Sequence, residues 1–263
     1  MGWSLKHELI GALLVIRVLT VVKSNLVDMK QAIIQSAELE KQKNELIANI
    51  PIFESMDSEC RAMLRKMMEP ISVPRFQFVF HQGDPATHLY LLEQGVVKIG
   101  TFHSDGREII KQILHPQAIF GELSVICEEL HSNYALTFNS DVRLYSIHTE
   151  DFRALLQKCP GLYFNILRMI GRKLKHTEKR LESLIFKDAR ERIIDFLKHN
   201  AENHGVRVGY ETMFRHSFTQ QDIANFTGTS RQTVTSVLNA LRKSNMIYFN
   251  RRSVLIRDLA NLR

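Results

Sequence analysis

The stretch from Thr219 to Leu238, TQQDIANFTGTSRQTVTSVL, decides how the C-terminal part of this chain folds. Ala224 is small at the point where two helices would cross, and Gly228 supplies the positive φ of a tight turn. Ser230 is a suitable N-cap for the second helix. The apolar face shared by both helices is formed by Ile223, Val234 and Leu238. The spacing therefore predicts a helix-turn-helix.

The second predicted helix carries a polar face. Val234, Leu238 and Leu241 recur at four- and three-residue steps and face inward, so the remaining side chains face outward. Arg suits bidentate contact with guanine and Gln with adenine, while Ser and Thr serve base edges or phosphates. A helical hairpin with a polar face is the alternative. The residues predicted to contact DNA in this motif are Thr219, Gln220, Thr229, Ser230, Arg231, Gln232, Thr235, Ser236 and Asn239.

The positive charge of the chain is concentrated at its C-terminal end. The formal net charge is +7, and the stretch from Met213 to Arg263 has eight Lys and Arg residues against two Asp. Because phosphates supply most of the non-specific affinity for DNA, this distribution predicts a nucleic-acid-binding module. A solvated basic face is the alternative that charge alone leaves open.

Two short apolar runs after the motif, Met246 to Phe249 and Ser253 to Ile256, predict a pair of strands. Asn250, Arg251 and Arg252 lie between them and would form the basic tip of a wing. Arg251 and Arg252 are predicted to contact phosphates, which positions the domain without reading sequence. A basic surface loop is the competing interpretation.

A heptad seam precedes this module. Leucine, isoleucine and one threonine recur after Pro160 at three- and four-residue steps, with charged residues between them. Such a seam favours a dimeric coiled coil over one long helix packed on its own domain. The seam residues are Leu167, Ile170, Leu174, Thr177, Leu181 and Leu184. Asp188, a good N-cap with Glu191 three residues later, starts the next helix and marks the hinge between the domains.

The segment from Ile71 to Ile147 has the pattern of a β domain. Its β-branched and aromatic runs predict strands, and Asp105-Gly106 between two of them is a hairpin signal. Several strands at close spacing indicate a jelly roll or barrel that can enclose a small ligand. The predicted strands are Phe76 to His81, His88 to Leu92, Val96 to Phe102, Glu108 to Leu114 and Val142 to Ile147.

The first part of the chain predicts helices. Residues Gln31 to Ala48 lack Gly and Pro, and a second helix runs from Asp57 to Met68, with Pro70 closing it. The apolar stretch Leu9 to Val22 contains Arg17 and is shorter than the roughly 20 residues of a membrane span. We interpret it as an extra helix or an extension upstream of a natural start at Met29, and predict no membrane association.

The 263 residues are 44% hydrophobic and 24% charged, which indicates a globular chain large enough for two domains. Cys60, Cys127 and Cys159 are far apart and odd in number, so we expect ordinary thiols in a reducing cytoplasm. Three isolated thiolates do not indicate an iron-sulfur cluster or any other metal site.

Two local motifs carry a resemblance to a known family: Phe120-Gly121-Glu122-Leu123 in the β domain, and Thr229-Ser230-Arg231-Gln232-Thr233-Val234 at the start of the second helix of the motif. From about Ile50 to its end, the chain resembles the cyclic-AMP receptor protein and fumarate-nitrate regulator (Crp/Fnr) family. The resemblance implies an α+β fold with a cyclic-nucleotide-binding-like jelly roll, a long dimerisation helix and a winged helix-turn-helix.

The predicted domains are a helical extension at residues 1–49, an effector domain at 50–159, a dimerisation helix and hinge at 160–187, and a DNA-binding domain at 188–263. The resemblance also implies a cytoplasmic, non-enzymatic transcription regulator that binds a pseudo-palindromic DNA site as a homodimer. It further suggests contact with RNA polymerase.

The effector is the least defined feature. In cyclic-AMP-binding members an Arg-Ser or Arg-Thr pair about ten residues after Gly-Glu-Leu neutralises the phosphate, while the Glu holds the ribose. Here the corresponding residues are Asn133 and Tyr134, so a buried phosphate would lack a matched cation, which disfavours cyclic AMP. Thr177 matches a position that reaches the base. The predicted effector-pocket residues are Gly121, Glu122, Leu123, Ser124, Asn133, Tyr134 and Thr177.

The family's other known effectors fit the sequence no better than cyclic AMP. The N-terminal cysteines of the oxygen-sensing branch are missing, and haem is disfavoured because lone histidines on strands, such as His81, His88, His103 or His115, are usually structural or exposed. A different small molecule, or no ligand, remains. Two other classes stay open: a cyclic-nucleotide-responsive regulatory subunit, against which the helix-turn-helix argues, and a ligand-independent DNA-binding protein.

Overall fold

The computed structural model describes residues 29–31, 33–127, 129–216, 218–250 and 252–262. The chain divides into two compact units, Met1–Asn49 and Ile50–Arg263. In the first unit the described residues, 29–31 and 33–49, are helical and form α1, in agreement with the predicted helix. The apolar stretch Leu9 to Val22 lies outside the described residues.

The second unit begins with a 3-10 turn, Pro51–Phe53, and α2, Ser58–Met67, whose N-cap Asp57 accepts a hydrogen bond from the Cys60 amide at 2.7 Å. A β domain follows. Its strands are β1 (Glu69–Val73), β2 (Phe78–Phe80), β3 (His88–Gln94), β4 (Val97–Phe102), β5 (Glu108–Leu114), β6 (Ile119–Phe120), β7 (Tyr134–Thr137) and β8 (Val142–His148). Three helices accompany and follow it: α3 (Leu123–Ile126), α4 (Thr149–Lys158) and α5 (Pro160–Phe186).

The strands of the β domain form two antiparallel four-stranded sheets, in the orders β1-β8-β3-β6 and β2-β7-β4-β5. This is the predicted jelly-roll type of sandwich. Along β4, Val97 and Ile99 belong to the core between the sheets, and the two-residue period therefore places Lys98 and Gly100 on the outer face. That outer face meets the C-terminal domain.

The C-terminal domain is a helical cluster with a small sheet. Its elements are α6 (Ala189–His204), β9 (Val206–Val208), β10 (Glu211–Arg215), α7 (Gln220–Thr227), α8 (Arg231–Lys243), β11 (Ile247–Phe249) and β12 (Ser253–Ile256). The strands pair antiparallel in the order β11-β12-β10-β9. As predicted, Asp188 caps α6 in a capping box with Glu191. The sheet and the three helices share one apolar core.

Some predicted boundaries were wrong. The first predicted strand is limited to Phe78–Phe80, and β1 already begins at Glu69 although Pro70 was expected only to close a helix. Proline is tolerated there because β1 is an edge strand, paired with β8 alone. Neither α4 nor the β9–β10 hairpin was predicted from the sequence.

The expectation of three separate thiols was wrong as well. Cys60 in α2 and Cys159 between α4 and α5 form a disulfide, with Cα atoms 6.2 Å apart. Packing of α2 against α4 brings the two cysteines together across a sequence separation of 99 residues, which no local pattern could reveal. Cys127 is a free, exposed thiol. Because two of the three cysteines are paired, the argument from separate thiols to a reducing compartment no longer holds.

Candidate DNA-binding surface and sensor site

The helix-turn-helix is built by α7 and α8. Thr219 and Asp222 form a reciprocal capping box at the start of α7: the Asp222 amide donates to Thr219 Oγ1 at 3.0 Å, and the Thr219 amide to Asp222 Oδ2 at 2.9 Å. Gly228 ends α7 in the left-handed region with φ +65°, as the turn requires. The Thr229 amide then donates to the Ala224 carbonyl at 3.1 Å, which closes the turn.

The recognition helix α8 presents a polar face. Ser230 caps it by accepting a hydrogen bond from the Thr233 amide at 3.0 Å. Its inward face is buried and consists of Val234, Val237, Leu238 and Leu241. Arg231, Gln232 and Ser236 are exposed, while Thr235 and Asn239 are half-buried. Thr235 Oγ1 lies 2.5 Å from Gln220 Oε1, so the two helices of the motif hold each other's polar side chains in place.

The wing is the hairpin of β11 and β12, which pair antiparallel. At its tip Asn250 Oδ1 accepts hydrogen bonds from the Arg252 amide at 2.8 Å and the Ser253 amide at 2.9 Å. This turn leaves the Arg252 side chain exposed. Arg251, which was predicted to contact phosphate, lies outside the described residues.

The predicted effector cradle surrounds the turn from β6 into α3. Gly121 has φ +75°, and a Cβ there would lie 2.8 Å from the His88 carbonyl oxygen, so the turn requires glycine. Leu123 begins α3, and the buried Ser124 hydroxyl donates to the Gly121 carbonyl at 2.5 Å. Glu122 Oε1 is 2.8 Å from Lys173 Nζ of α5. The carboxylate expected to meet a ribose is therefore already paired within the chain.

Asn133 and Tyr134 each have a hydrogen-bond partner outside that cradle. Asn133 accepts a hydrogen bond from Lys111 Nζ at 2.6 Å. The Tyr134 hydroxyl donates to Glu108, and its ring stacks on Phe102 at 4.8 Å, while its neighbour Ala135 belongs to the core between the sheets. Burial and the Glu108 hydrogen bond raise the pKa of Tyr134. The expectation that Tyr134 lines an internal pocket is thus corrected: it lies on the outer face of its sheet.

A polar cluster joins that outer face to α7. Lys98 Nζ lies 3.0 Å from Glu108 Oε1 and 3.3 Å from Asp222 Oδ1. Asn225 of α7 donates from Nδ2 to Glu108 Oε2 at 2.6 Å. The Lys98 and Asp222 side chains are only 11% and 12% exposed. We call Lys98, Glu108, Tyr134, Asp222 and Asn225 the interdomain cluster.

Arg180 of α5 adds a second link. Its guanidinium donates to the Ile110 carbonyl at 2.7 Å and the Lys111 carbonyl at 2.5 Å, both in β5, and to the Phe226 carbonyl in α7 at 2.6 Å. It also lies 4.5 Å from the centre of the Phe226 ring, a cation–π distance. One side chain of the long helix therefore contacts both domains. Burial lowers the pKa of Arg180.

The predicted seam of α5 is largely exposed in the single chain. Leu167 is 65% exposed, Leu174 59% and Leu181 59%, and Leu184 is also exposed. Ile170 is half-buried. Thr177 is exposed, and its hydroxyl donates to the Lys173 carbonyl at 2.9 Å. The seam residues share one face of α5, as their spacing predicted.

The histidines considered for haem are separated. His81 Nδ1 lies 3.3 Å from Asp84 Oδ2, and His103 Nδ1 lies 3.0 Å from Asp105 Oδ1. The His88 ring packs against His148, and the His115 ring packs against His204. In the part of the chain that the structure describes, no group of three or more His, Cys, Asp or Glu is arranged to hold a metal ion. Across those same residues, none of the helices has the length and apolarity needed to cross a bilayer.

Comparison with known proteins agrees with this architecture. Residues 70–159 match the cyclic nucleotide-binding domain family and residues 191–263 the Crp-like helix-turn-helix domain family. The CRP-like cAMP-activated global transcriptional regulator of Mycobacterium tuberculosis is 33% identical over 219 residues, which cover 83% of this chain and 97% of the relative. The chain belongs to the Crp/Fnr family of transcription regulators.

Other Crp/Fnr proteins align over similar lengths. The cyclic AMP receptor protein of Thermus thermophilus is 28% identical over 212 residues, covering 81% of this chain and 94% of the relative. Among solved structures, the c-di-GMP responsive global regulator CLP of Xanthomonas campestris has a TM-score of 0.66 at 22% identity, covering 76% of this chain and 99% of that chain. This likeness shows the shared fold. The chain is thus a DNA-binding regulator of the Crp/Fnr type.

Sequence reasoning missed the interdomain cluster of this Crp/Fnr regulator. Two features of the sequence could have indicated it: Lys98 interrupts the apolar run of β4, and Tyr134 brings a hydroxyl into the apolar β7. Such polar groups on a buried strand need partners, but the sequence does not say that α7 supplies them.

Proposed function

We propose that this Crp/Fnr regulator binds a pseudo-palindromic DNA site as a homodimer formed along α5. The exposed heptad seam supports this proposal, because leaving Leu167, Leu174 and Leu181 in water forfeits their burial energy. A second copy presents the same stripe and covers it. Each copy then places α8 in one of two successive major grooves about 34 Å apart.

On this proposal Arg231 and Gln232 read base edges, with Thr235, Ser236 and Asn239 beside them. Thr219, Gln220, Thr229 and Ser230 lie at the N-termini of α7 and α8, where backbone amides and hydroxyls suit phosphate contacts. Arg252 of the wing is placed to contact phosphate. A cytoplasmic location follows from the DNA partner, and contact with RNA polymerase is proposed from the family alone.

We further propose that the effector is not cyclic AMP. Three observations support this: Glu122 is engaged by Lys173, Tyr134 is bonded to Glu108 on the outer face of its sheet, and aromatic rings fill space between the sheets. Asn133, which stands where the family has a cation or hydroxyl, is bonded to Lys111. The Tyr90 and Phe120 rings stack at 5.1 Å. A nucleotide entering there would have to displace these groups without an arginine to offset desolvation of its phosphate.

Activation by cyclic AMP is the second candidate. The Mycobacterium tuberculosis relative is named as cAMP-activated, and the Gly121-Glu122 turn is present here. Operation without any ligand is the third. An effector of any class would act by binding one arrangement of the domains more tightly than another.

The test is fluorescence anisotropy of the full chain on duplexes selected from a random pool, at fixed salt, with and without cyclic AMP. We expect tight binding to a palindrome, much weaker binding to a single half-site, and no change with the nucleotide. Binding that requires cyclic AMP would refute the effector proposal. Equal affinity for the palindrome and bulk DNA would refute sequence-specific regulation.

A further inference from the structure

A second cavity lies between the sensor and DNA-binding domains, apart from the Gly121–Ser124 cradle. It has a volume of about 300 Å³, within the range of small-ligand pockets. Its walls come from β5 and the residue after it, from the middle of α5, from α6 and from Phe226 of α7. Any ligand held there contacts both domains and the long helix at once.

The charged side chains that line the cavity are all basic. The lining contains Lys111, Arg172 and Lys173 together with four histidines, and none of its described residues is Asp or Glu. Lys111 donates to the neutral Asn133 amide oxygen, and among the residues that the structure describes no carboxylate is paired with it. Lys173 is the exception, because it is paired with Glu122. Asp195 lines the neighbouring cavity and is paired with Lys187 at 2.5 Å.

The histidines form two pairs, and each pair spans two structural elements. The rings of His115, which follows β5, and His204, which ends α6, have centroids 3.9 Å apart. The rings of His176 in α5 and His199 in α6 are 6.4 Å apart. Protonating both members of a pair places like charges side by side, and a bound anion nearby would offset their repulsion.

Burial is the main cause, and the charge of the paired ring the second, that lowers the pKa of His115 to about 4. The same two causes lower the pKa of His176. For His176, Arg180 and Lys179 contribute in the same direction. These rings are therefore mainly neutral near neutral pH. An anion that enters the cavity favours their charged forms and is bound together with protons.

We propose that this cavity binds a small multivalent anion, such as a phosphorylated metabolite, and that the bound anion holds the DNA-binding domain against the sensor. Lys111 and Arg172 supply the fixed charge, and His115, His176 and His204 supply charge that increases as the pH falls. Lys173 connects this site to the cradle, since an anion that attracts Lys173 competes with Glu122. Binding itself does not depend on the proposed DNA site or on dimerisation.

The first experiment is calorimetric titration of the full chain with inorganic pyrophosphate near neutral pH. We expect saturable binding that weakens at least about tenfold in the double variant Lys111→Gln/Arg172→Gln, because two charge-assisted contacts are lost. The matched control is Lys66→Gln/Lys158→Gln, which removes two exposed lysines outside the cavity and keeps wild-type affinity. No saturable heat, or equal weakening in both double variants, would overturn the site.

The second experiment tests the histidines with 1,2-ethanedisulfonate, whose charge is constant across the pH range used. We expect affinity to rise several-fold between about pH 7.5 and pH 6, with net proton uptake in buffers of different ionisation enthalpy. The variant His115→Gln/His204→Gln should lose most of this pH dependence, while His88→Gln/His148→Gln, the pair on β3 and β8, should keep it. A pH dependence unchanged by His115→Gln/His204→Gln would overturn the proton-linked part.

The third readout is tryptic cleavage after the exposed Lys187, between α5 and α6. Pyrophosphate should slow this cleavage in the wild type and leave it unchanged in Lys111→Gln/Arg172→Gln. Binding without protection would overturn the holding role alone. Because none of the three readouts uses DNA, failure here is distinguishable from failure of the DNA-binding proposal.

Discussion

Lys98 of the sensor domain and Asp222 of the helix-turn-helix form an ion pair across the domain boundary, with Nζ and Oδ1 3.3 Å apart. Asp222 is also half of the capping box that starts α7. The contact between the domains and the start of the DNA-binding motif therefore share one carboxylate. Since Lys98 also pairs with Glu108, it is the cation that separates two acidic groups from different domains.

Replacing Lys98 with Met should loosen the docking of α7 on the sensor. Glu108 and Asp222 would then face each other with their shared cation gone, and losing one partner of a buried pair costs about 3 kcal/mol. We expect faster tryptic cleavage after Lys187 and faster amide exchange in β5 and α7. Lys66→Met, at an exposed site of the same domain, is the control. Unchanged protection in Lys98→Met would show that the pair does not hold the interface.

Arg231→Ala and Arg252→Ala should weaken DNA binding in different ways. Arg231 is an exposed residue at the start of α8, so its loss should cost about 1 to 3 kcal/mol and relax base preference at one position of each half-site. Arg252→Ala at the wing should weaken binding to all sequences alike. It should also reduce the slope of log affinity against log salt concentration by about 1. Anisotropy on a panel of single-base variants at several salt concentrations separates the two. Unchanged preference in Arg231→Ala would remove it from base reading.

Placing arginine on the seam should dissociate the proposed dimer. We expect Leu174→Arg/Leu181→Arg to sediment as a monomer at concentrations where the wild type is dimeric, because four like charges would meet along one interface. Palindrome binding should fall to the level of a half-site. Ile126→Arg, an exposed apolar residue on α3, should remain dimeric. A dimeric seam variant would place the interface elsewhere.

Acidification should destabilise the chain between about pH 6.5 and pH 4. The folded-state pKa values of His88, His115, His176, His204 and His216 are lowered, first by burial in each case, and that of His115 to about 4. A lowered histidine pKa means that the unfolded chain binds protons more readily, so stability is complete above the unfolded value near 6.5 and decreases below it. Thermal melts in a low-anion buffer should show Tm falling over this range, less steeply in His115→Gln/His204→Gln. Equal slopes would exclude that pair as a contributor.

The disulfide predicts a defined thiol count. Thiol titration of the unreduced native chain should detect Cys127 alone, and titration of the reduced, unfolded chain should detect all three cysteines. Closing a loop of about 100 residues stabilises by roughly 4 to 5 kcal/mol in the chain-entropy model, so reduction should lower the denaturation midpoint. Cys60→Ser/Cys159→Ser should have the denaturation midpoint of the reduced wild type, and reductant should not change it. Three reactive thiols without reductant would contradict the pairing.

Local signals in the sequence were sufficient for several elements. The caps at Asp57, Asp188 and Ser230, the turn at Gly228 and the strand Glu108–Leu114 were all predicted correctly, since each depends on residues within a few positions of one another. The inward and outward faces of α8 were also predicted, because helical periodicity determines them.

Features that depend on distant residues were not predictable. The Cys60–Cys159 pair and the Glu108–Asn225 contact join positions 99 and 117 residues apart, and only the packing of α2 on α4 and of α7 on β5 brings them together. Tyr134 was predicted to line the effector pocket because of its distance from the Gly-Glu-Leu motif. Such spacing does not reveal strand register, and a shift of one residue reverses the face.

Arg180 donates to carbonyls in both β5 and α7 from its position in α5. The two domains cannot separate at one edge while this guanidinium keeps all its acceptors, and a partial opening would leave a buried cation short of hydrogen bonds. Intermediate arrangements are therefore penalised relative to both end states. We expect a regulator built this way to respond to its signal in an all-or-none manner within each chain, so that its output across a population is graded by the fraction of molecules switched rather than by how far each one opens.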